Sequence, residues 1–243
     1  MKVVISQSML FPWVGLLEQV RLADVFVHYD DVQFSKGSFC NRVQVKSATG
    51  VRWLTVPTQG LRLGQSIEEV RLADAADWVP RHLQLLRGSF DGAAHAADAL
   101  ELARAVYAAG DRTLGALARR SLLALVDYFG LAQGRRFIDV RDLDVPGASS
   151  ERVLEVVRRL GGTTYVTGHG AAAYLDHEAF TRAGVAVEYM DYRKLPYPQL
   201  HGPFTPFVTA LDLAANCGPA GVDCICSPSI PWETFLHGSA QRV

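Results

Sequence analysis

The chain has few cysteines, no surplus of charge of either sign and no long apolar run. Of its 243 residues, 24 are Lys or Arg and 25 are Asp or Glu, so the formal net charge is -1. A balanced charge gives no basic face for nucleic acid, and we expect no nucleic-acid partner. No apolar stretch approaches the roughly 18 residues of a membrane-spanning helix, so we expect no membrane partner either.

The first residues also lack a basic segment followed by a long apolar stretch, which is the pattern of a secretory signal. The sequence therefore predicts a cytoplasmic protein with reduced thiols. Three of the four cysteines, Cys217, Cys224 and Cys226, cluster near the C-terminus. Cys224 and Cys226 are closer than the usual structural zinc pair, which leaves at least about two residues between its ligands. We predict no metal and no cofactor.

Apolar residues make up 49% of the chain, which is enough for a buried core. In the first and last thirds, short apolar segments alternate with helical patterns. This order predicts a mainly parallel sheet with flanking helices. The predicted strands of this sheet are 2–5, 25–27, 136–140, 163–167 and 185–190.

Three other regions extend this α/β pattern. Alternating apolar residues at 43–46 and 51–56 predict a β-hairpin extension, and 67–72 predicts a further strand. From about 78 to 130 the spacing of Ala, Leu and Arg predicts a helical insertion of about three helices. After about residue 219, Gly, Pro and Ser predict an irregular tail. We therefore expect one α/β domain over 1–243, with a helical subdomain at 78–130.

Two predicted strands end in polar loops, and ligands of α/β sheets bind at the carboxyl ends of strands. Gln7 follows the first strand, and Pro12 and Trp13 fix the path of its loop. Either the loop directs the Gln7 amide at a ligand, or its residues pack into the core. Asp30 and Asp31 follow the second strand. Neighbours on an extended chain point to opposite faces, so we expect one to face the site and the other to cap a turn or meet solvent.

Cys40, Asn41 and Arg42 form the most reactive-looking triplet. A nearby cation, Arg42 or Lys36, could lower the pKa of the Cys40 thiol and make it a nucleophile. Alternatively, Arg42 and Asn41 bind a carboxylate or phosphate of a substrate. The third alternative is an inert thiol beside a structural Arg–Asp pair.

A further candidate loop contains Gly168 and His169, between a predicted strand and a helix. Its glycines would let backbone amides approach an anion, and His169 is a candidate acid or base. Alternatively, the glycines only shape the turn.

The last candidates lie in the C-terminal third. Tyr197 and Gln199 belong to a Pro- and aromatic-rich loop that either forms one wall of a pocket or covers the sheet. Asp212 lies in an apolar helical stretch and is either exposed or reaches Arg42.

In combination these motifs resemble the WbqC-like family. The matching segments are 7–13 with Gly15, 24–27, 30–34, 41–42 and 53–57, and then Tyr197, Gln199, Phe204, 211–212 and 216–218. The family has Pro-x-Tyr after the first Gln, whereas this chain has Ser8-Met9-Leu10, which indicates a divergent member with a changed substrate. The resemblance implies a bacterial biosynthetic pathway, either of a surface polysaccharide or of a specialised metabolite.

We therefore expect an enzyme for a small-molecule or carrier-bound substrate, with its site where loops 7–13, 28–42, 167–170 and 197–204 converge. In the leading hypothesis Cys40 is the nucleophile of an acyl transfer or hydrolysis and His169 is its base. Asp30, Asp31 or Asp212 would orient the histidine.

Two other hypotheses stay open at this point. In one, Gln7, Arg42 and His169 bind a nucleotide-sugar or another activated phosphate, and the group is transferred without a covalent intermediate. In the other, the protein is a non-catalytic binding or scaffolding partner of the pathway. The sequence leaves the oligomeric state open.

Overall fold

A computed structural model of the protein describes residues 1–240. Its main sheet has six strands in the order β10-β9-β8-β1-β2-β7, and only β10 runs antiparallel to its neighbour. The expected mainly parallel α/β sheet is thus confirmed. The strands of this sheet are β1 (Lys2–Ser6), β2 (Val25–His28), β7 (Arg136–Asp139), β8 (Thr164–Thr167), β9 (Ala186–Met190) and β10 (Ser229–Pro231).

Two short antiparallel pairs lie outside the main sheet. Strands β3 (Arg42–Ser47) and β4 (Gly50–Thr55) form the predicted hairpin, and β5 (Thr58–Gln59) pairs with β6 (Arg71–Leu72). Of the strand predicted over 67–72, only the last two residues pair. The reason is a helix-like turn at its start, in which the N–H of Val70 donates to the carbonyl of Ser66.

Eight α-helices accompany the strands within residues 1–240. Three of them lie in the helical insertion that the residue spacing predicts. The helices are α1 (Val14–Leu22), α2 (Ala75–Phe90), α3 (Ala96–Ala108), α4 (Leu114–Tyr128), α5 (Ser149–Arg159), α6 (His177–Arg182), α7 (Ala210–Cys217) and α8 (Trp232–Ala240). None of these helices is long and apolar enough to cross a membrane.

The sheet separates two apolar clusters. Alternation along β1 sends Val4 into one cluster and Val3 into the other, because successive side chains of a strand point to opposite faces. The first cluster also contains residues of α1, of the three inserted helices and of α7. The insertion therefore packs into the same core as the sheet. The second cluster contains residues of α5, α6 and α8. The division of the chain into domains stays a prediction.

The segment predicted as an irregular tail contains β10 and α8. Pairing with β9 places Ile230 opposite Tyr189 at the edge of the main sheet. Of the Gly and Pro residues that suggested irregular chain, Pro219 and Gly221 lie in a short 3-10 helix over Gly218–Cys224, whereas Pro231 ends β10 and Gly238 lies in α8. Residues 241–243 of the predicted tail lie outside the described residues.

The strand order reverses direction beside β1. From β1 the chain moves to β2 and β7, then crosses back through α5 to β8 on the other side of β1. A reversal of this kind opens a crevice at the carboxyl ends of the two diverging strands, which is where open α/β sheets bind ligands. The fold therefore points to the gap between β1 and β8.

A buried ion network lies on the other side of β2. Arg119 of α4 contacts the carboxylates of Asp139 at 2.7 Å, Asp30 at 3.1 Å and Glu68 at 3.3 Å. Asp30 is fully buried and also accepts hydrogen bonds from the N–H and hydroxyl of Ser8, each at 2.7 Å. Loss of the arginine would leave a buried carboxylate without its cation, which is costly.

We predict that Arg119→Met lowers the free energy of unfolding by about 3 to 5 kcal/mol. The matched control is Arg120→Met, on the same helix, because Arg120 pairs with Asp111 while 48% of its side chain is exposed. The control should change stability by less than about 1 kcal/mol. Urea unfolding followed by circular dichroism measures both variants. Equal effects of the two substitutions would contradict a structural role of the Arg119 network.

Candidate functional site

A cavity of about 760 Å³ occupies the gap between β1 and β8. We call it the switch-point cavity. Its size lies within the usual range for small-molecule sites. Residues from the carboxyl ends of β1, β2 and β8 and from the start of α5 line it, among them Ser6, Gln7, Gln19, Tyr29, Asp31, Gln33, Gly147, Ala148, Ser149, Arg152, Thr167, Gly168, Gly170 and Tyr174.

An ion pair forms one wall of this cavity. The guanidinium of Arg152 donates to both carboxylate oxygens of Asp31, at 2.9 and 2.5 Å, and its Nε donates to the carbonyl of Val145 at 2.9 Å. The guanidinium carbon also lies 5.0 Å from the ring centroid of Tyr29. These contacts raise the pKa of Arg152, chiefly through the hydrogen bonds to Asp31. The arginine is fixed in place, because the Tyr29 hydroxyl is a hydrogen-bond partner of its guanidinium in addition to Asp31 and Val145.

The first turn of α5 forms the adjoining wall. Its N-cap residue, Ala148, makes no side-chain capping bond, so the first backbone N–H groups of the helix have no intrahelical or capping partner. Ser149 has a φ of +53° and Gly147 a φ of +99°. A positive φ is uncommon for serine, and such strain is concentrated at functional sites. Free N–H groups at a helix start favour an anion.

Three side-chain amides also line the cavity, from Gln7, Gln19 and Gln33. Gln19 donates to the hydroxyl of Tyr192 at 2.8 Å. Each amide carries both a donor and an acceptor. This wall therefore suits a ligand with several hydroxyl groups, and Asp31 adds a carboxylate acceptor to it.

His169 lies between Gly168 and Gly170, which both line the cavity. Its Nε2 is 2.7 Å from the carbonyl oxygen of Met190. Because a carbonyl oxygen only accepts, Nε2 carries the proton and Nδ1 of the neutral ring has a free lone pair. No hydrogen bond to Nδ1 occurs within residues 1–240. The ring lies between those of Tyr192 and Phe235, at centroid distances of 5.0 and 4.7 Å, and borders the cavity through its two glycine neighbours.

The surroundings of Cys40 differ from those of a reactive thiol. Cys40 is 2% exposed, and burial raises the pKa of its thiol to about 11. The thiol donates to the amide oxygen of Gln7 at 3.5 Å. A protonated, buried thiol is a poor nucleophile. These facts favour the inert-thiol alternative, with Cys40 orienting the Gln7 amide, and the pairing of Cys40 with His169 stays a prediction.

The two adjacent aspartates have separate partners. Asp31 pairs with Arg152 in the switch-point cavity, whereas Asp30 pairs with Arg119 on the other side of β2. The expected opposite orientation of the two side chains accounts for this. Ser8 completes the Asp30 site through its N–H. The WbqC-like pattern has a proline at position 8, and proline has no N–H to donate. The serine of this chain can donate its N–H and therefore belongs to the buried network.

Asn41 and Arg42 lie at the base of the hairpin. The amide nitrogen of Asn41 donates to the carbonyl of Val56 at 3.3 Å. The guanidinium carbon of Arg42 lies 4.1 Å from the ring centroid of Trp53. The sequence predicts that Arg42 pairs with Asp30, Asp31, Asp212 or a bound anion, and within residues 1–240 it forms no ion pair with any of these aspartates. Asp30 pairs with Arg119 instead, and Asp31 pairs with Arg152. Substrate binding by Asn41 and Arg42 stays a prediction.

Tyr197, Gln199 and Asp212 meet in a buried network away from the cavity. The hydroxyl of Tyr197 donates to Asp212 at 3.0 Å and accepts from Gln199 at 2.9 Å. Lys46 donates to the amide oxygen of Gln199 at 3.1 Å and is 4% exposed. Burial raises the pKa of the Asp212 carboxyl to about 6. The four side chains join β3, the 197–205 loop and α7, which supports the covering alternative for this loop.

The sequence analysis did not identify three polar residues that the fold places in ion pairs or buried polar networks. Arg152, Arg119 and Lys46 are each paired or buried in a polar network. Arg152 had one usable signal, because it lies in the first turn of a predicted helix that leads into a sheet strand. Arg119 and Lys46 resemble ordinary surface residues in the sequence. Among the described residues, no group of three or more metal-ligating side chains is arranged to hold a metal ion.

We predict that iodoacetamide modifies Cys217, Cys224 and Cys226 of the native protein before Cys40. The three are half-buried, whereas Cys40 is buried; burial raises the thiol pKa of Cys217 and Cys224 as well as that of Cys40, so the order rests on access to the thiol. Mass spectrometry of peptides at timed intervals gives the order. In urea all four thiols should react at similar rates, which is the control. Cys40 reacting first in the folded protein would restore the nucleophile hypothesis.

Comparisons with known proteins agree with the resemblance. The chain is 34% identical over 225 residues to the uncharacterized protein Rv1507c of Mycobacterium tuberculosis (strain ATCC 25618 / H37Rv), and the match covers 91% of this chain and 96% of that protein. No solved structure matches the chain significantly. The model of the WbqC-like protein family matches residues 7–224. That match covers most of the chain, and the protein therefore belongs to the WbqC-like protein family.

Proposed function

We propose that this protein is a biosynthetic transferase that binds a nucleoside diphosphate sugar in the switch-point cavity and transfers the sugar without a covalent enzyme intermediate. The observation that carries the proposal is the combination of an uncapped helix start, a fixed arginine and several amides in one cavity. The pathway would be bacterial polysaccharide or specialised-metabolite synthesis in the cytoplasm, as the family resemblance implies.

The diphosphate is assigned to the first turn of α5. Its free backbone N–H groups and the positive end of the helix dipole attract an anion. Arg152, in the same turn, adds the positive charge of its guanidinium, whose two terminal nitrogens also donate to Asp31. Asp31 neutralises part of this charge and fixes the orientation of the arginine.

The sugar and ribose hydroxyls are assigned to the amide wall. Gln7, Gln19 and Gln33 can each donate and accept, and Asp31 accepts at the end of β2. In dinucleotide-binding α/β folds an acidic residue after the second strand accepts from the ribose hydroxyls. Asp31 occupies a comparable place in the topology. A site built to pair hydroxyl groups rejects ligands that lack them.

His169 is assigned as the general base of the transfer. Its free Nδ1 would remove the proton from the acceptor's nucleophilic hydroxyl or amine as that atom bonds to the sugar's anomeric carbon. The bond from the anomeric carbon to the diphosphate oxygen breaks, and its electron pair leaves with the nucleoside diphosphate. The start of α5 and Arg152 would stabilise this developing charge.

Two earlier hypotheses receive less support. Acyl transfer through Cys40 requires a thiolate, and burial holds this group in the thiol form. A scaffolding role assigns no function to the polar cavity, to the strained backbone of Ser149 or to His169 beside the cavity. We therefore favour the non-covalent transferase.

The binding test uses UDP-glucose, GDP-mannose and dTDP-glucose as probes in thermal unfolding. At 100 times its dissociation constant, a ligand stabilises the folded state by about 2.7 kcal/mol, which is a shift of roughly 5 to 10 °C for a chain of this size. Arg152→Gln and Arg152→Lys should weaken binding of the responsive probe at least about tenfold, because both lose the planar fork.

The matched control is Arg158→Gln on the same helix, because Arg158 is 61% exposed and pairs only with Glu155 among the described residues. It should bind the probe as the unmodified protein does. If none of the three nucleotide-sugars shifts the melting temperature, or if the Arg152 variants bind normally, the proposed function is wrong.

The turnover test concerns His169→Gln. With water as the acceptor, release of nucleoside diphosphate from the bound probe should fall about 100-fold or more, while the thermal shift persists. The control is His201→Gln, because His201 also faces a carbonyl, that of Ser89 at 2.8 Å, away from the cavity. Unchanged release in His169→Gln would exclude the histidine as the base.

A further inference from the structure

A row of four rings lies beside the cavity, and beyond His169 the ring contacts continue to Phe235, whose centroid is 4.7 Å from that of His169. The ring centroids of His169 and Tyr192 are 5.0 Å apart, those of Tyr192 and Trp13 are 5.0 Å apart, and those of Trp13 and Phe207 are 5.5 Å apart. We call these four residues the aromatic row. They come from three separate segments of the chain, so only the tertiary fold assembles them.

The aromatic row is continuous with the switch-point cavity. A Cβ atom added to Gly168, which lines the cavity, would lie 3.2 Å from the hydroxyl of Tyr192. The same hydroxyl accepts from Gln19, another lining residue. One end of the row is therefore at the cavity and at the proposed base, His169.

The position of Trp13 is fixed by the residue beneath it. A Cβ atom at Gly15 would lie 2.2 Å from the Trp13 ring, so the ring rests directly on the backbone of α1. Any side chain at position 15 would displace it. The Trp13 ring is only half-buried, and Phe207, the next member of the aromatic row, is 45% exposed. The row thus presents rings to solvent from a rigid base.

Polar groups border the row along its length. The ammonium of Lys194 lies 4.9 Å from the centroid of Phe207, and the free Nδ1 of His169 is at the other end. A purely apolar occupant would remove water from these groups without replacing their hydrogen bonds, which is unfavourable. The occupant that fits has apolar faces for the rings and hydrogen-bonding edges for the groups beside them.

From this arrangement we infer that the aromatic row is the acceptor subsite and that the acceptor is a carbohydrate chain of several rings. Sugar rings have C–H faces that stack on aromatic rings and hydroxyl edges that pair with polar side chains. The terminal sugar would present its hydroxyl to Nδ1 of His169, and the following sugars would lie over Trp13 and Phe207. This inference rests on the proposed function, since it names the second substrate of the same site.

The experiment measures binding of maltotetraose, cellotetraose and chitotetraose by calorimetry. At least one tetrasaccharide should bind the unmodified protein, and its dissociation constant should rise at least tenfold in Trp13→Ala and several-fold in Phe207→Ala. Trp53→Ala is the matched control, because Trp53 is an exposed aromatic residue (43%) outside the row. It should leave binding unchanged.

Phe207→Ala keeps the test valid if Trp13→Ala fails to fold, because Phe207 is exposed. Absence of binding by all three tetrasaccharides, or equal binding by the row variants and the unmodified protein, would overturn the inference. The nucleotide-sugar test separates the two proposals. If the Arg152-dependent thermal shift persists while tetrasaccharides do not bind, only the acceptor subsite is wrong; if the shift is absent, the proposed function itself fails.

Discussion

The adjacent carboxylates at the end of β2 hold the two sides of this molecule together. Asp31 fixes Arg152 of α5 on one side of the sheet, and Asp30 binds Arg119 of α4 on the other. Each pair joins the central sheet to a helix that the chain adds much later. The buried carboxylate of Asp30 needs its cation and the donors of Ser8, because an unpaired buried charge is costly. The loop after β1 and the helical insertion are thereby tied to the same strand end.

This division explains why the cavity forms where it does. Asp30 is used for structure: it is fully buried and bound by Arg119 and Ser8, although Arg119 and Glu68 also line a second cavity of about 750 Å³ on that side. Asp31 lies where the strand order reverses and the sheet opens, so its pair with Arg152 faces the switch-point cavity. Cys40 is buried, and its thiol donates to the amide oxygen of Gln7. Under the proposed function these groups are structural, and the ligand would contact the groups that they orient.

The Tyr197–Asp212 network has a comparable role on the far side of α1. Lys46, Gln199 and Asp212 hold the irregular 197–205 loop against the hairpin and α7. With that loop anchored, Phe207 and Lys194 are presented beside Trp13. The buried polar network therefore positions the Phe207 side chain, which is exposed to solvent.

The sequence by itself determined the α/β class, the parallel strands, the hairpin and the helices of the insertion, because these depend on local periodicity and on the residues that end each segment. It also placed Gln7, Asp31 and Gly168 at strand ends, where the cavity lies. Only the tertiary structure decided which acid meets which arginine, that Cys40 is buried, and that Arg152 lines the same cavity as Gln7 and Gly168. These outcomes depend on contacts between distant segments, such as Arg119 with Asp30, 89 residues apart, and Arg152 with Asp31, 121 residues apart, and no local pattern encodes them.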